Sequence, residues 1–143
     1  MNFVSVTRLR VRSIRYLLPF IWHTFKVARQ AERTPQFLGG RILREARNTF
    51  WTVTCWEDEP AMRGFRHRGS HDFVMPKLLQ WCDEAAYVHW NQGGMELPDW
   101  QEAHRRLVQE GKLSKVYHPS AAHLEFQIVE PKPGRGERTL KPG

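Results

Sequence analysis

Histidine is the side chain that changes charge near neutral pH without help from its surroundings. Of the seven histidines in this sequence, His71 is the one best placed for chemistry. It follows Gly69-Ser70 and precedes Pro76, in a stretch where a helix must start, bend or restart. A side chain there can serve as an acid or base, or as a haem ligand. The plainer alternative is a helix-end histidine bonded to solvent or backbone. Ser70-His71-Asp72 is not a catalytic triad, because adjacent residues cannot point at one another as that mechanism requires. His67 and His71 have the i,i+4 spacing that holds a metal on a regular helix. Gly69-Ser70 interrupts that helix and no third ligand is evident, so no metal is expected. Cys55 and Cys82 have no metal-type spacing and read as buried, reduced thiols. Trp22, Trp51, Trp56, Trp81 and Trp90 can line an aromatic pocket for a planar or polyene-like ligand, or simply fill the core.

The elements that must position these groups follow from periodicity. Phe3 to Arg12 alternates as a strand, with Phe3, Ser5, Thr7, Leu9 and Val11 on one face. Leu17 to Arg33 has helical spacing, with Ser13 as a turn or cap and Pro19 in the first turn. Ile21, Phe25, Ala28 and Ala31 should face the sheet. Gly39-Gly40 is read as a turn into a strand from Arg41 to Ala46. Thr49 to Trp56 is the plainest strand, rich in aromatic and β-branched residues. Its apolar groups lie on both faces, Phe50 and Trp56 against Trp51, Val53 and Cys55. A wet face would alternate cleanly, so something must cover the second face, and a partner subunit is the simplest cover.

Asp58-Glu59-Pro60 opens a helix with Ala61, Met62 and Phe65 on its apolar face. A second piece runs from Ser70 to about Glu84, with Met75, Leu78, Leu79 and Cys82 inward. Ala85 to Trp90 is a fourth strand, with Tyr87 and His89 opposite Val88 and Trp90. Asp99 caps a helix from Trp100 to Glu110 that ends at Gly111. Val116-Tyr117 reads as extended, and His123 to Val129 alternates as an edge strand. The order is a ferredoxin-like β-α-β-β-α-β sandwich of the α+β class, with a C-terminal helix and tail. The expected division is a core domain over 1–91, a helix and extended segment packed on it over 92–130, and a flexible tail over 131–143.

The formal net charge of +7 resides in the first fifty residues, which carry ten Lys/Arg against two Glu. Arg8, Arg10, Arg41, Arg44 and Arg47 can form a basic stripe able to meet an acidic partner or an anionic membrane. The aromatic-Gly pattern of an RNA-binding sheet is absent, so nucleic acid is not an expected partner. Tyr16 to Val27 is about half the roughly 20 apolar residues a span needs, so no transmembrane segment is expected. The stretch before it reads as a strand, not as a leader, and cytoplasmic residence is expected.

Trp56-Glu57-Asp58-Glu59, with Phe65 as an aromatic six residues on, resembles the dimeric α+β-barrel superfamily. That group includes antibiotic-biosynthesis and haem-degrading monooxygenases. The string from Phe50 through Gly69-Ser70-His71, Met75-Pro76 and Trp81-Cys82-Asp83-Glu84-Ala85 to His89-Trp90 is similar to a bacterial branch related to spheroidene-monooxygenase-like proteins. The resemblance covers about residues 1–90. It implies a homodimer whose two sheets pack face to face, each subunit keeping a pocket between sheet and helices for a small apolar or aromatic ligand. It implies monooxygenase-like activity with either no cofactor or haem. The haem-degrading relatives use an Asn on the first strand, a Trp in the second helix and a haem-ligating His further on. The matching positions here are Thr7, Phe65 and Met75, and all three depart from that pattern. The expected site is therefore His71 as the catalytic group, with Thr7, Trp51, Trp56, Phe65 and Met75 shaping the pocket. The alternative is a non-catalytic ligand-binding or scaffold homodimer.

Overall fold

The computed structural model describes residues 1–134 and 136–143. Its core sheet comprises β1 (Asn2–Val11), β2 (Phe37–Glu45), β3 (Thr49–Trp56) and β4 (Cys82–Gln92). Two short strands, β5 (Lys112–Leu113) and β6 (Glu137–Leu140), lie at its edges. The order is β5-β4-β1-β3-β2-β6, and every neighbouring pair is antiparallel. The two crossovers run through α1 (Ile14–Glu32) and through α2 (Glu59–Arg66) with α3 (Gly69–Trp81). Each crossover has one strand inserted between its ends, which is the ferredoxin-like arrangement.

Local chemistry explains where the boundaries move from the sequence expectation. The Ser13 side chain accepts from the Arg15 N–H, so α1 starts at Ile14 and Pro19 falls inside the helix, not in its first turn. Leu17, Phe20, Ala28 and Ala31 are its buried positions, whereas Phe25, expected inward, is exposed. Gly39-Gly40 lies within β2 and is not a turn. A bulge between Phe37 and Gly39 is absorbed by the left-handed backbone of Gly39 (φ 148°). A Cβ on Gly40 would meet the Val53 carbonyl at 2.7 Å, so the close approach of β3 requires glycine there. α3 stops at Trp81, and Cys82 to Glu84 already belong to β4, because pairing with β1 reaches Cys82. Val74 takes the buried position on α3, and Met75, expected inward, is exposed.

The C-terminal part departs further. His123 to Val129 is not an edge strand. Ser120 caps a single turn, α5 (Ala121–Leu124), by accepting from the His123 N–H. Val116 is buried but lies outside the strands. The last residues are not a loose tail throughout: β6 pairs with β2 from Gly40 to Leu43, and Leu140 is buried against Phe37 and Trp56.

The second face of β3 is covered from within the chain. Trp100, Ala103 and Leu107 of α4 (Trp100–Glu110) pack on Val4, Val6, Leu43, Trp51, Val53, Cys55, Ala86, Val88 and Trp90. Partly buried Leu97 and Ile128 extend this cover. The expectation that a partner subunit supplies the cover is corrected: α4 of the same chain supplies it. The expected basic stripe also dissolves. Arg8 is buried and donates to Glu84 at 2.7 Å, and Arg10 pairs with Glu84 at 3.1 Å. Arg41 donates to the Pro98 carbonyl, which leaves Arg44 and Arg47 exposed.

Candidate functional site

Between the sheet and helices α1 to α3 lies a cavity of about 360 Å³, inside the range of small-molecule sites. Its floor is set by strand register. Ser5 of β1 sits opposite Thr54 of β3 and His89 of β4; Thr7 sits opposite Thr52 and Tyr87. The period of two along each strand aims all six side chains at the cavity. They form two rows of three polar groups on the central strands, and each keeps accessible surface there. Thr54 accepts from the Trp56 indole N–H at 2.9 Å. Among the described residues, the other five side chains engage in no hydrogen bond within the protein. The walls and roof are apolar, with Phe20, Ile42, Phe50, Met62, Phe65, Val74 and Leu78 among them. An apolar shell with unengaged polar groups on one side is the composition that orients a ligand.

His71 lines the cavity from the first turn of α3. Its backbone N–H donates to the Gln30 side chain at 2.8 Å, and its ring meets Phe65 edge-on at 4.9 Å. Burial and the Arg66 guanidinium push its pKa down to about 4, with smaller opposing contributions from a backbone hydrogen bond at Arg66 and from Asp72. His71 is thus a neutral imidazole at physiological pH, not the group titrating near neutrality that its type suggests. Its Nδ1 is buried and forms no hydrogen bond of good geometry. His67 caps α2 and His71 belongs to α3, so the pair does not share a helix.

The remaining expected residues divide. Thr7, Phe65 and Met75 line the cavity together with His71. Trp56 lies behind the wall, its ring 4.8 Å from Phe65 and 5.1 Å from Phe37, and supports the lining without joining it. Trp51 is on the opposite face of the sheet, where its indole N–H donates to Glu45 under α4. A one-residue step along a strand changes face, so Trp51 cannot share the cavity with Phe50 and Thr52. No tryptophan lines the cavity among the described residues.

Two lining groups were not singled out from the sequence. His89 stands on the floor between the rings of Phe3 and Tyr87, each 5.2 Å away, and burial followed by the Arg66 charge lowers its pKa. Arg66 itself lines the cavity and has no carboxylate partner among the described residues. The signal that could have found His89 was present: β4 alternation puts Tyr87 and His89 on the helix-covered face, where apolar residues belong.

The donor set does not fit a haem. Met75, at the position matching the haem-ligating histidine, is 37% exposed, and a lone thioether is a poor axial ligand.

Neither a family model nor a curated protein matches the sequence. Solved structures do. A variant of SnoaB, a cofactor-independent oxygenase from Streptomyces nogalater, matches with a TM-score of 0.55 and 18% identity, covering 65% of this chain and 94% of that one. An antibiotic biosynthesis monooxygenase matches with a TM-score of 0.57 and 10% identity, covering 66% of this chain and 100% of the other. Rv0793 from Mycobacterium tuberculosis matches with a TM-score of 0.59 and 5% identity, covering 66% of this chain and 97% of its own. Identities this low carry the fold alone. The chain has the ferredoxin-like α+β fold of the antibiotic-biosynthesis-monooxygenase structures.

Proposed function

We propose that the protein is a monooxygenase-like enzyme that takes a small apolar or aromatic molecule into the cavity and acts on it without haem. The observation that carries this reading is the floor: five polar side chains left without protein partners, facing an apolar cavity of about 360 Å³. Keeping such groups off the core's own hydrogen bonds costs stability, and a bound ligand's oxygen atoms would engage them. Arg66 adds a positive charge where a ligand oxyanion can sit. His89, neutral and beside the floor hydroxyls, is placed to accept a proton, and His71 to hold the ligand from above. Without a cofactor, the electrons that reduce oxygen must come from the substrate. A hydroxylated aromatic, electron-rich once deprotonated, suits both the walls and the Arg66 charge. The likeness to a cofactor-independent oxygenase supports this reading at the level of fold.

The test is oxygen uptake with a panel of hydroxylated polycyclic aromatics, run on the wild type, His89→Gln and Arg66→Gln. Loss of a positioned acid-base group should lower kcat about a hundredfold or more. Unchanged rates in both variants would sink the catalytic assignment. A second reading, ligand binding without chemistry, is favoured by the depressed pKa of His71, since a neutral imidazole still donates or accepts a hydrogen bond. It predicts saturable quenching of protein fluorescence by the same aromatics with no oxygen consumed. A haem titration should give no sharp Soret shift; a shift lost in His71→Ala would replace the cofactor-free reading with a haem-dependent one.

A further inference from the structure

The outer surface of the helical layer carries apolar side chains that the cavity and core do not use. On α1, Ile14, Leu18, Trp22 and Phe25 are exposed by 79%, 78%, 60% and 49%, and their spacing places them on one stripe of the helix. The neighbouring α3 adds Phe73, 59% exposed, whose ring packs 5.6 Å from His23 of α1. Scattered apolar residues on a surface are ordinary; a continuous stripe of large ones marks an interaction face.

The charge around the stripe is predominantly positive, with Glu32 at the end of α1 paired to Arg138 and Asp72 beside Phe73. From Met1 to Ala31 the sequence contains no Asp or Glu. The exposed aromatic rings each carry a cation: Lys26 lies 5.3 Å from the Trp22 ring, Lys77 4.9 Å from Phe73, and Arg138 5.0 Å from Phe25. Beside the stripe, Lys26, Arg29, Arg33 and Arg68 line an open groove. None of these four forms an ion pair with a carboxylate among the described residues. The acidic residue of α3, Asp72, lies in its first turn and forms no ion pair with Lys77 among the described residues.

We infer that this face docks the protein on an anionic lipid bilayer, with α1 lying in the plane of the headgroups. Leu18, Trp22, Phe25 and Phe73 would enter the acyl boundary while Lys26, Lys77 and the groove cations meet lipid phosphates. An indole with its amphipathic ring and lysines on apolar stems suit that depth. The same geometry serves the cavity. The inner faces of α1 and α3 line it through Phe20, Thr24 and Val27 and through Val74 and Leu78, so an apolar ligand dissolved in the bilayer has a short path to the site. No helix among the described residues is long and apolar enough to cross a membrane, so the association is peripheral.

The experiment is co-flotation of the full chain with vesicles of phosphatidylcholine alone or containing phosphatidylglycerol, with tryptophan emission read in parallel on the wild type and on Trp22→Phe. Binding should require the anionic lipid, weaken with salt and shift the tryptophan emission to the blue in the wild type but not in Trp22→Phe. Lys26→Glu and Lys77→Glu should each weaken partitioning about fivefold or more. The double variant Leu18→Ser/Trp22→Ser, at exposed positions that leave folding intact, should weaken it at least about tenfold. Arg105→Glu, on α4 at the opposite face of the sheet, should change it far less. Failure to float with anionic vesicles at low salt overturns the inference, as does flotation that the α1 and α3 variants leave unchanged. A protein that self-associates through this stripe, losing association in Leu18→Ser/Trp22→Ser without ever binding vesicles, overturns it as well.

Discussion

Truncating Leu107 to alanine tests whether α4 is the true cover of the sheet. Leu107 is fully buried, and it packs with Trp100 and Ala103 in the cluster that includes Trp51, Val53 and Cys55. The change deletes three carbons, worth about 2.4 kcal/mol at roughly 0.8 kcal/mol per buried methylene-sized group. The rigid sheet below and the helix backbone above cannot close the gap fully, so a cavity penalty raises the loss to about 3 kcal/mol or more. At a urea slope of about 2 kcal/mol per molar, the unfolding midpoint falls by about 1.5 M. Equilibrium urea unfolding followed by tryptophan fluorescence reads this directly, because Trp51, Trp90 and Trp100 all border the site. A near-neutral Leu107→Ala would refute the reasoning. It would mean that α4 does not rest on the sheet in solution.

Other predictions rest on buried charge and titration. Glu84→Gln leaves Arg8 buried without its carboxylate and should cost about 3–5 kcal/mol in the same urea assay. Burial raises the Glu84 pKa, but hydrogen bonds from Arg8, Ser120 and Arg10 outweigh it and hold the carboxyl below its ordinary value. Its contribution is therefore complete above the unfolded carboxylate range and is lost as pH falls through the lowered value; Asp83, whose pKa burial raises, works the other way, so the comparison must be between wild type and Glu84→Gln. His71, at about 4 against an ordinary 6.5, binds a proton more readily in the unfolded chain, so stability is full above about pH 6.5 and declines toward pH 4; His71→Gln should flatten that decline. Cys82 is fully buried with its thiol pushed up to about 12 by burial and then by Asp83, so it should resist a thiol reagent until the protein unfolds.

Strand pattern was legible where both faces of an element are buried. Thr49 to Trp56 is β3 with the bounds that its run of aromatic and β-branched residues gives, and its two-sided apolar character correctly demanded a second cover. What covers that face was not legible, because α4 lies more than forty residues further on and its apolar positions look like those of any amphipathic helix. The same limit hid β6: Glu137 to Leu140 has no strand pattern of its own and is extended because β2 offers an open edge. Pro19 and Gly39-Gly40 misled for a related reason. Both carry the local signature of punctuation, yet the Ser13 cap and the close approach of β3 decide their setting.

The candidate site shows the complementary pattern. His71, Thr7, Phe65 and Met75 do converge, because a sheet and its crossover helices bring those positions over one another. His89 and Arg66 escaped notice because neither carries a motif; what marks them is polarity on a surface that should be apolar. That mismatch is the more informative signal. A sheet face under three helices is normally filled by branched apolar side chains, and here the two central rows hold Ser5, Thr7, Thr52, Thr54, Tyr87 and His89. Filling those rows with apolar residues would favour folding. Thr7→Val with Thr52→Val should accordingly raise the urea midpoint while weakening capture of an oxygen-bearing aromatic. A pair of substitutions that left binding intact would mean the polar rows serve the fold and not a ligand. The α4 cover sharpens that test: seven residues, 93–99, tether the helix to β4. So short a link gives it an effective concentration that a second chain would have to match. With the outer face closed from within the same chain, substitutions on the cavity side leave that cover in place.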